Sequence, residues 1–123
     1  MLSSYKYYNR NPQSNIEEDC VCRAITLASG LPYRTVEKLL WLVAEHNDCD
    51  MLCLCCYEHL LTEVMGYAIK YPINKVVEEI VDEYPNNTLI IRIDGHLLCA
   101  IDGIVYDLWN SFDEEVTCFW VVK

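Results

Sequence analysis

Residues 88–109 read "TLIIRIDGHLLCAIDGIVYDLW". Three apolar runs, 88–93, 96–101 and 104–109, are joined by Asp94-Gly95 and Asp102-Gly103. Asp-Gly between such runs is the strongest short-range hairpin signal, because a two-residue type I′ turn needs positive φ at both positions. The stretch therefore predicts three antiparallel strands. "VTCFWVVK", 116–123, reads as a fourth. Placing the second turn at 102–103 sets Ile101 opposite Ile104, Leu98 opposite Asp107 and His96 opposite Trp109. Directly paired residues share a face, and faces alternate along a strand. His96, Leu98, Ala100, Val105, Asp107 and Trp109 then lie on one side. His96 and Asp107 become diagonal neighbours, close enough for a carboxylate to hold an imidazole nitrogen.

Upstream the period changes from two to 3.6. "CVCRAITLAS" (20–29) predicts a helix that starts behind Asp19 as its cap and stops at Gly30. Val36, Leu39, Leu40, Val43 and Ala44 give 31–48 a helical face. Residues 50–67 form a third helical stretch ending near Gly66, and "AIKYP" (68–72) suggests a short strand. "NKVVEEIVDEYP" (74–85) predicts a fourth helix capped by Asn74, with Val76, Val77, Ile80 and Val81 inward. Residues 1–18 are polar, with a turn at "NPQSN". The expectation is one α+β domain over residues 1–123, with N-terminal helices packed on one face of a C-terminal antiparallel meander.

The protein has 123 residues, 53% of them hydrophobic, which suits a single core. Nine basic residues face 19 acidic ones, a net charge of −10. That argues against nucleic acid, whose phosphates require a basic patch. It allows an acidic surface to fill a basic groove on another protein, although plain solubility is the simpler reading. No apolar run reaches the length of a membrane span, and the N-terminus lacks a signal-peptide core. A cytoplasmic protein is expected, with no membrane partner and no cofactor.

Eight cysteines stand at 20, 22, 49, 53, 55, 56, 99 and 118. Their apolar neighbours and tight spacing suit reduced thiols rather than a disulfide scaffold. Cys20 is the one placed for chemistry. It opens the first helix, where first-turn N–H groups and the helix dipole favour a thiolate. Cys22, about 200° further round, points elsewhere. A thiolate beside His96, with Asp107 orienting the ring, is the arrangement of a nucleophilic cysteine. The plainer alternatives are a packing thiol, a strand-end imidazole bonded to a carbonyl, and an aspartate paired with Arg23. His46 and His59 are weaker partners. Arg23 itself is set four residues from Asp19 for a local ion pair.

"CDMLCLCC" (49–56) places Cys49, Cys53 and Cys56 on one helical face, continued by His59. It lacks the two-residue spacers of structural zinc knuckles, so an apolar face built partly of cysteine explains it at least as well and no metal is assigned.

The order helix-borne Cys, strand-opening His, then Asp on the next strand resembles papain-like cysteine peptidases. More narrowly, "DCVCRAI" (19–25) with "GHLLCAIDGIVYDLW" (95–109) is similar to a group of small phage and prophage proteins related to bacteriocin-processing peptidases. Those carry an Asp-Cys-Val-x-Arg-Ala segment, a Gly-His-apolar run and a Tyr-Asp-x-Trp segment. The likeness runs from about residue 9 to the end. It implies Cys20 as nucleophile, His96 as general base, Asp107 as orienting acid, and a protein or peptide substrate. It also implies an oxyanion hole made by the Cys20 N–H and an upstream side-chain amide. Gln13 matches best in offset, with Asn11 and Asn15 as alternatives. A small residue commonly precedes the Asp-Cys pair in that group; here Glu17, Glu18 and Asp19 stand before Cys20. Carboxylates there oppose thiolate formation, and in an active enzyme they would select a basic substrate residue. If they win, the domain is an idle papain-like fold that works by binding, such as an acidic phage inhibitor of a host defence protein.

Overall fold

The computed structural model describes residues 4–7, 20–50, 53–107 and 110–123. Among these residues it is an α+β fold of four α-helices and a six-stranded mixed sheet. The elements in sequence order are β1 (Ser4–Tyr7), α1 (Cys20–Ser29), α2 (Tyr33–Asn47), α3 (Leu54–His59), a π-helical turn (Leu60–Val64), β2 (Ala68–Lys70), α4 (Val77–Glu83), β3 (Thr88–Ile93), β4 (His96–Ile101), β5 (Ile104–Asp107) and β6 (Val116–Val121). No helix among the described residues is long and apolar enough to cross a membrane.

The β4–β5 hairpin has the expected register, with Ile101 opposite Ile104 and Ala100 opposite Val105. Asp102 and Gly103 both have positive φ, 49° and 83°, as a type I′ turn demands. The β3–β4 turn differs. Only Gly95 is positive there, at 71°, so that turn is not type I′, although Ile93 still pairs with His96.

The strand order is β1-β5-β4-β3-β6-β2, which corrects the expected four-strand meander. β6 does not follow beside β5; it returns to the far side of β3. Its approach is tied to the start of α4, where the N–H groups of Val77 and Glu78 donate to Glu114 and Phe112 carbonyls and Val116 N–H donates to Lys75 O. β1, read as part of a polar leader, is a strand that pairs parallel with β5. Tyrosine-rich "SYKY" has β propensity but no apolar alternation to announce a strand.

Helices cover both faces of the sheet, another correction. α1, α2 and α3 pack on the face carrying Ile90, Leu97, Cys99, Cys118 and Trp120. α4 packs on the opposite face through Val77, Ile80 and Val81 against Leu89, Ile91, Leu98 and Phe119. A strand buried on both sides reads as a continuous apolar run, which is what Leu97–Ile101 is after His96.

α1 ends where Gly30, at φ 78°, donates to Thr26 O. Ile25, fully buried, anchors it to the sheet. α2 buries Val36, Leu40, Val43 and Ala44 and ends at Asp48 in the left-handed conformation. The fourth helix is not capped by Asn74, which takes the left-handed conformation (φ 54°) two residues too early. Glu79 reaches back instead and accepts the Val76 N–H at 3.0 Å.

Candidate active site

The hairpin register puts His96 at the opening of β4 and Asp107 at the close of β5. His96 Nε2 donates to Asp107 Oδ2 at 2.6 Å, and the two residues are only 8% and 4% exposed. β1 braces this contact: the Tyr5 hydroxyl donates to the Asp107 backbone oxygen at 3.1 Å. Nε2 is thereby committed, and Nδ1 is the ring nitrogen left for the thiol.

Cys20, half-buried, is the first residue of α1 and packs against the sheet face that carries Leu97. Burial pushes its thiol up. The hydrogen bond with the His96 ring, the Leu97 backbone N–H and the nearby imidazolium more than offset that, against a smaller repulsion from Asp107. The net effect is a thiol below its ordinary value. His96 moves the other way. Burial opposes its charge, but hydrogen bonds and Coulomb attraction from Asp107 and Cys20 raise it to about 9. Opposite shifts on two touching groups favour the thiolate–imidazolium form over the neutral pair. A cavity of about 10 Å³ lies behind the thiol, bordered by Cys20, Arg23, Leu97 and Asp107 among others. It has room for a water at most.

The other cysteines separate cleanly from this one. Cys22 is buried, donates to the Tyr33 carbonyl at 3.6 Å, and is pushed up to about 11 by burial. Burial likewise raises Cys56, Cys99 and Cys118. Cys53 resembles Cys20 in one respect. Its exposed thiol, 3.1 Å from that of Cys55, is lowered by that contact and by the N–H groups of Cys55 and Cys56. No histidine takes part.

The expected single helical face of Cys49, Cys53 and Cys56 is not formed. Cys49 follows the end of α2, Cys53 precedes α3, and the buried Cys56 thiol donates to Leu40 O at 3.3 Å. Among the described residues no group of three or more His, Cys, Asp or Glu side chains is arranged to hold a metal ion. His46 and His59 lie in the last turns of α2 and α3, on elements other than those that carry the His96–Asp107 pair. Arg23 is buried beside the same small cavity as Asp107. Gln13, Asn11, Asn15, Trp109 and the acids Glu17, Glu18 and Asp19 fall outside the described residues.

The structure thus brings together Cys20, His96 and Asp107, from three elements. Sequence reasoning missed the groups that brace the site, the Tyr5 hydroxyl and the Leu97 N–H.

No family model, no curated protein and no solved structure matches this sequence.

Proposed function

We propose that this protein is a small papain-like cysteine hydrolase that cleaves a peptide or isopeptide amide in a cytoplasmic setting. The observation that carries the reading is the unbroken Cys20–His96–Asp107 line, with the thiol lowered and the imidazole raised. In this mechanism the Cys20 thiolate attacks the amide carbonyl carbon. The C=O π electrons move to oxygen, where the helix-start N–H of Cys20 and, by the resemblance, an upstream side-chain amide, best matched by Gln13, stabilise the oxyanion. Collapse breaks the C–N bond, and the proton on His96 Nδ1 goes to the departing amine. Water then attacks the thioester, giving a proton back to His96, and the thiolate leaves. Asp107 holds the ring in place through both halves and favours its cationic form.

Hydrolysis of a fluorogenic peptide-amide library tests this. Turnover that vanishes in Cys20→Ala and in His96→Gln supports it. No turnover by the native protein on any member, with an unreactive Cys20, removes it.

A net charge of −10 favours a second reading: a catalytically idle papain-like binding protein, phage- or prophage-encoded by the resemblance of its motifs, whose acidic surface occupies a basic site on a host defence protein. In that case the Cys20→Ala protein retains the activity of the native one in any partner assay.

A further inference from the structure

Arg92 on β3 stands directly opposite Leu97 on β4 and Cys118 on β6. Paired residues share a face, so Arg92 lies on the α1 side of the sheet. Its neighbour Leu97 is the residue whose backbone N–H bonds the Cys20 thiol. Paired strands are about 5 Å apart, which sets the Arg92 backbone one strand from Leu97, on the sheet face against which Cys20 packs.

The guanidinium is oriented by a neutral group. Arg92 Nε donates to the Tyr57 hydroxyl at 2.7 Å. Tyr57 is 4% exposed and is held edge-on by Trp120, ring centroids 6.1 Å apart. Among the described residues the ion pairs are Arg34–Glu37, Lys75–Glu83 and His96–Asp107, and no carboxylate is paired with Arg92. In a protein with 19 acids and nine bases, a half-buried arginine whose hydrogen-bond partner among the described residues is a tyrosine is conspicuous. A guanidinium held at Nε presents its terminal nitrogens as a planar fork suited to a carboxylate.

We infer that Arg92, positioned by Tyr57, is a carboxylate-recognition subsite beside Cys20, selecting substrates with an anionic group next to the scissile amide. This rests on Cys20 being the reactive thiol. The carboxylate could belong to an acidic side group or to the free C-terminus of a peptide, and both present the same chemistry to the fork.

Two alkylating agents that differ only in charge test it. The sulfur lone pair forms the S–C bond and iodide leaves in both cases, but iodoacetate carries a carboxylate and iodoacetamide does not. Rates at each cysteine are read by peptide mass spectrometry in the native protein, Arg92→Gln, Arg92→Lys, Tyr57→Phe and the surface control Arg34→Gln. The iodoacetate-to-iodoacetamide ratio at Cys20 should exceed that at Cys53 by about tenfold, the size of one nearby charge at intermediate dielectric. Arg92→Gln should lower the ratio at Cys20 to the share that the His96 imidazolium supplies, Arg92→Lys and Tyr57→Phe should lower it less, and Arg34→Gln should leave it whole. Unchanged iodoacetamide labelling of Cys20 in Arg92→Gln shows that the variant is folded. An equal ratio in the native protein and Arg92→Gln overturns the inference while leaving the nucleophile intact. A Cys20 that is slow with iodoacetamide overturns both. Chloroacetamide peptides bearing either a glutamate or a free C-terminus, compared with the neutral peptide amide, separate the two sources. Acceleration of either supports the subsite; acceleration of neither refutes it.

Discussion

His96 and Asp107 meet across 2.6 Å inside the protein, from adjacent strands at the open end of one hairpin, and a single turn at Asp102-Gly103 sets that meeting. A buried pair of this kind orients more than it stabilises, because desolvation cancels much of the attraction. Replacing Asp107 with Asn keeps the shape but removes the charge that helps hold His96 up. The alkaline limb of activity, set by His96 at about 9, should then move towards 6.5. The rate should fall about 100-fold or more, the usual scale of general acid–base catalysis. A pH–rate profile of Asp107→Asn reads both.

Stability should depend on pH in a way that reveals the pair. His96 has a raised folded value, so its stabilising contribution is complete below 6.5 and is lost as pH rises through about 9. Cys20 has a lowered folded value, so its contribution is complete above 9.0 and is lost as pH falls through that lowered value. Between the lowered Cys20 value and about 9 the unfolded state holds one proton on the thiol, and the folded state holds one on the imidazole. The two contributions cancel there, and the native Tm should be flat across that interval as far as this pair decides it. Cys20→Ser removes one of them. Its Tm, measured against the native protein, should decline as pH rises above 6.5, over a range that ends below 9 because Cys20 itself helps to raise His96; two parallel curves would count against a thiolate–imidazolium pair.

Cys53 is a built-in comparison for Cys20. Its thiol is also lowered, and it is exposed, so it should alkylate readily below pH 9. The cause is different, since Cys55 and two peptide N–H groups do what His96 does for Cys20. His96→Gln should slow Cys20 and leave Cys53 unchanged, while Cys55→Ala should slow Cys53 and leave Cys20 unchanged. Peptide-resolved labelling of both variants checks this crossed pattern.

α1 carries Cys20 and is pinned by Ile25, which is fully buried between helix and sheet. Ile25→Ala should cost about 3 kcal/mol, within the range for truncating a buried isoleucine. Urea unfolding measures it. The same variant should label Cys20 more slowly, because a loosened helix no longer holds the thiol on the His96 ring.

Much of the site was legible because one register decides it. Counting outwards from Asp102-Gly103 places His96 beside Asp107 without any tertiary knowledge, and helix position separates Cys20 from Cys22. What stayed hidden depends on contacts between distant segments. "SYKY" becomes a strand only by pairing with β5, about a hundred residues on. The path of β6 to β3 depends on backbone bonds between residues 112–116 and the start of α4. The two-sided burial of the sheet was written in the unbroken apolar run Leu97-Leu98-Cys99-Ala100, where an alternating strand would have shown polar residues on one face. Arg92 was visible as a lone charge, yet its place beside Cys20 follows only once β3, β4 and α1 are assembled.

The most direct measurement is the rate of iodoacetamide labelling at each cysteine from about pH 5 to 9, read by peptide mass spectrometry in the native protein and in His96→Gln. Labelling of Cys20 at pH values below its ordinary 9.0 that outpaces the buried thiols, lost in His96→Gln while Cys53 is unaffected, is the predicted result. Labelling of Cys20 no faster than the buried Cys22, or a rate indifferent to His96, would contradict a poised Cys20–His96–Asp107 site.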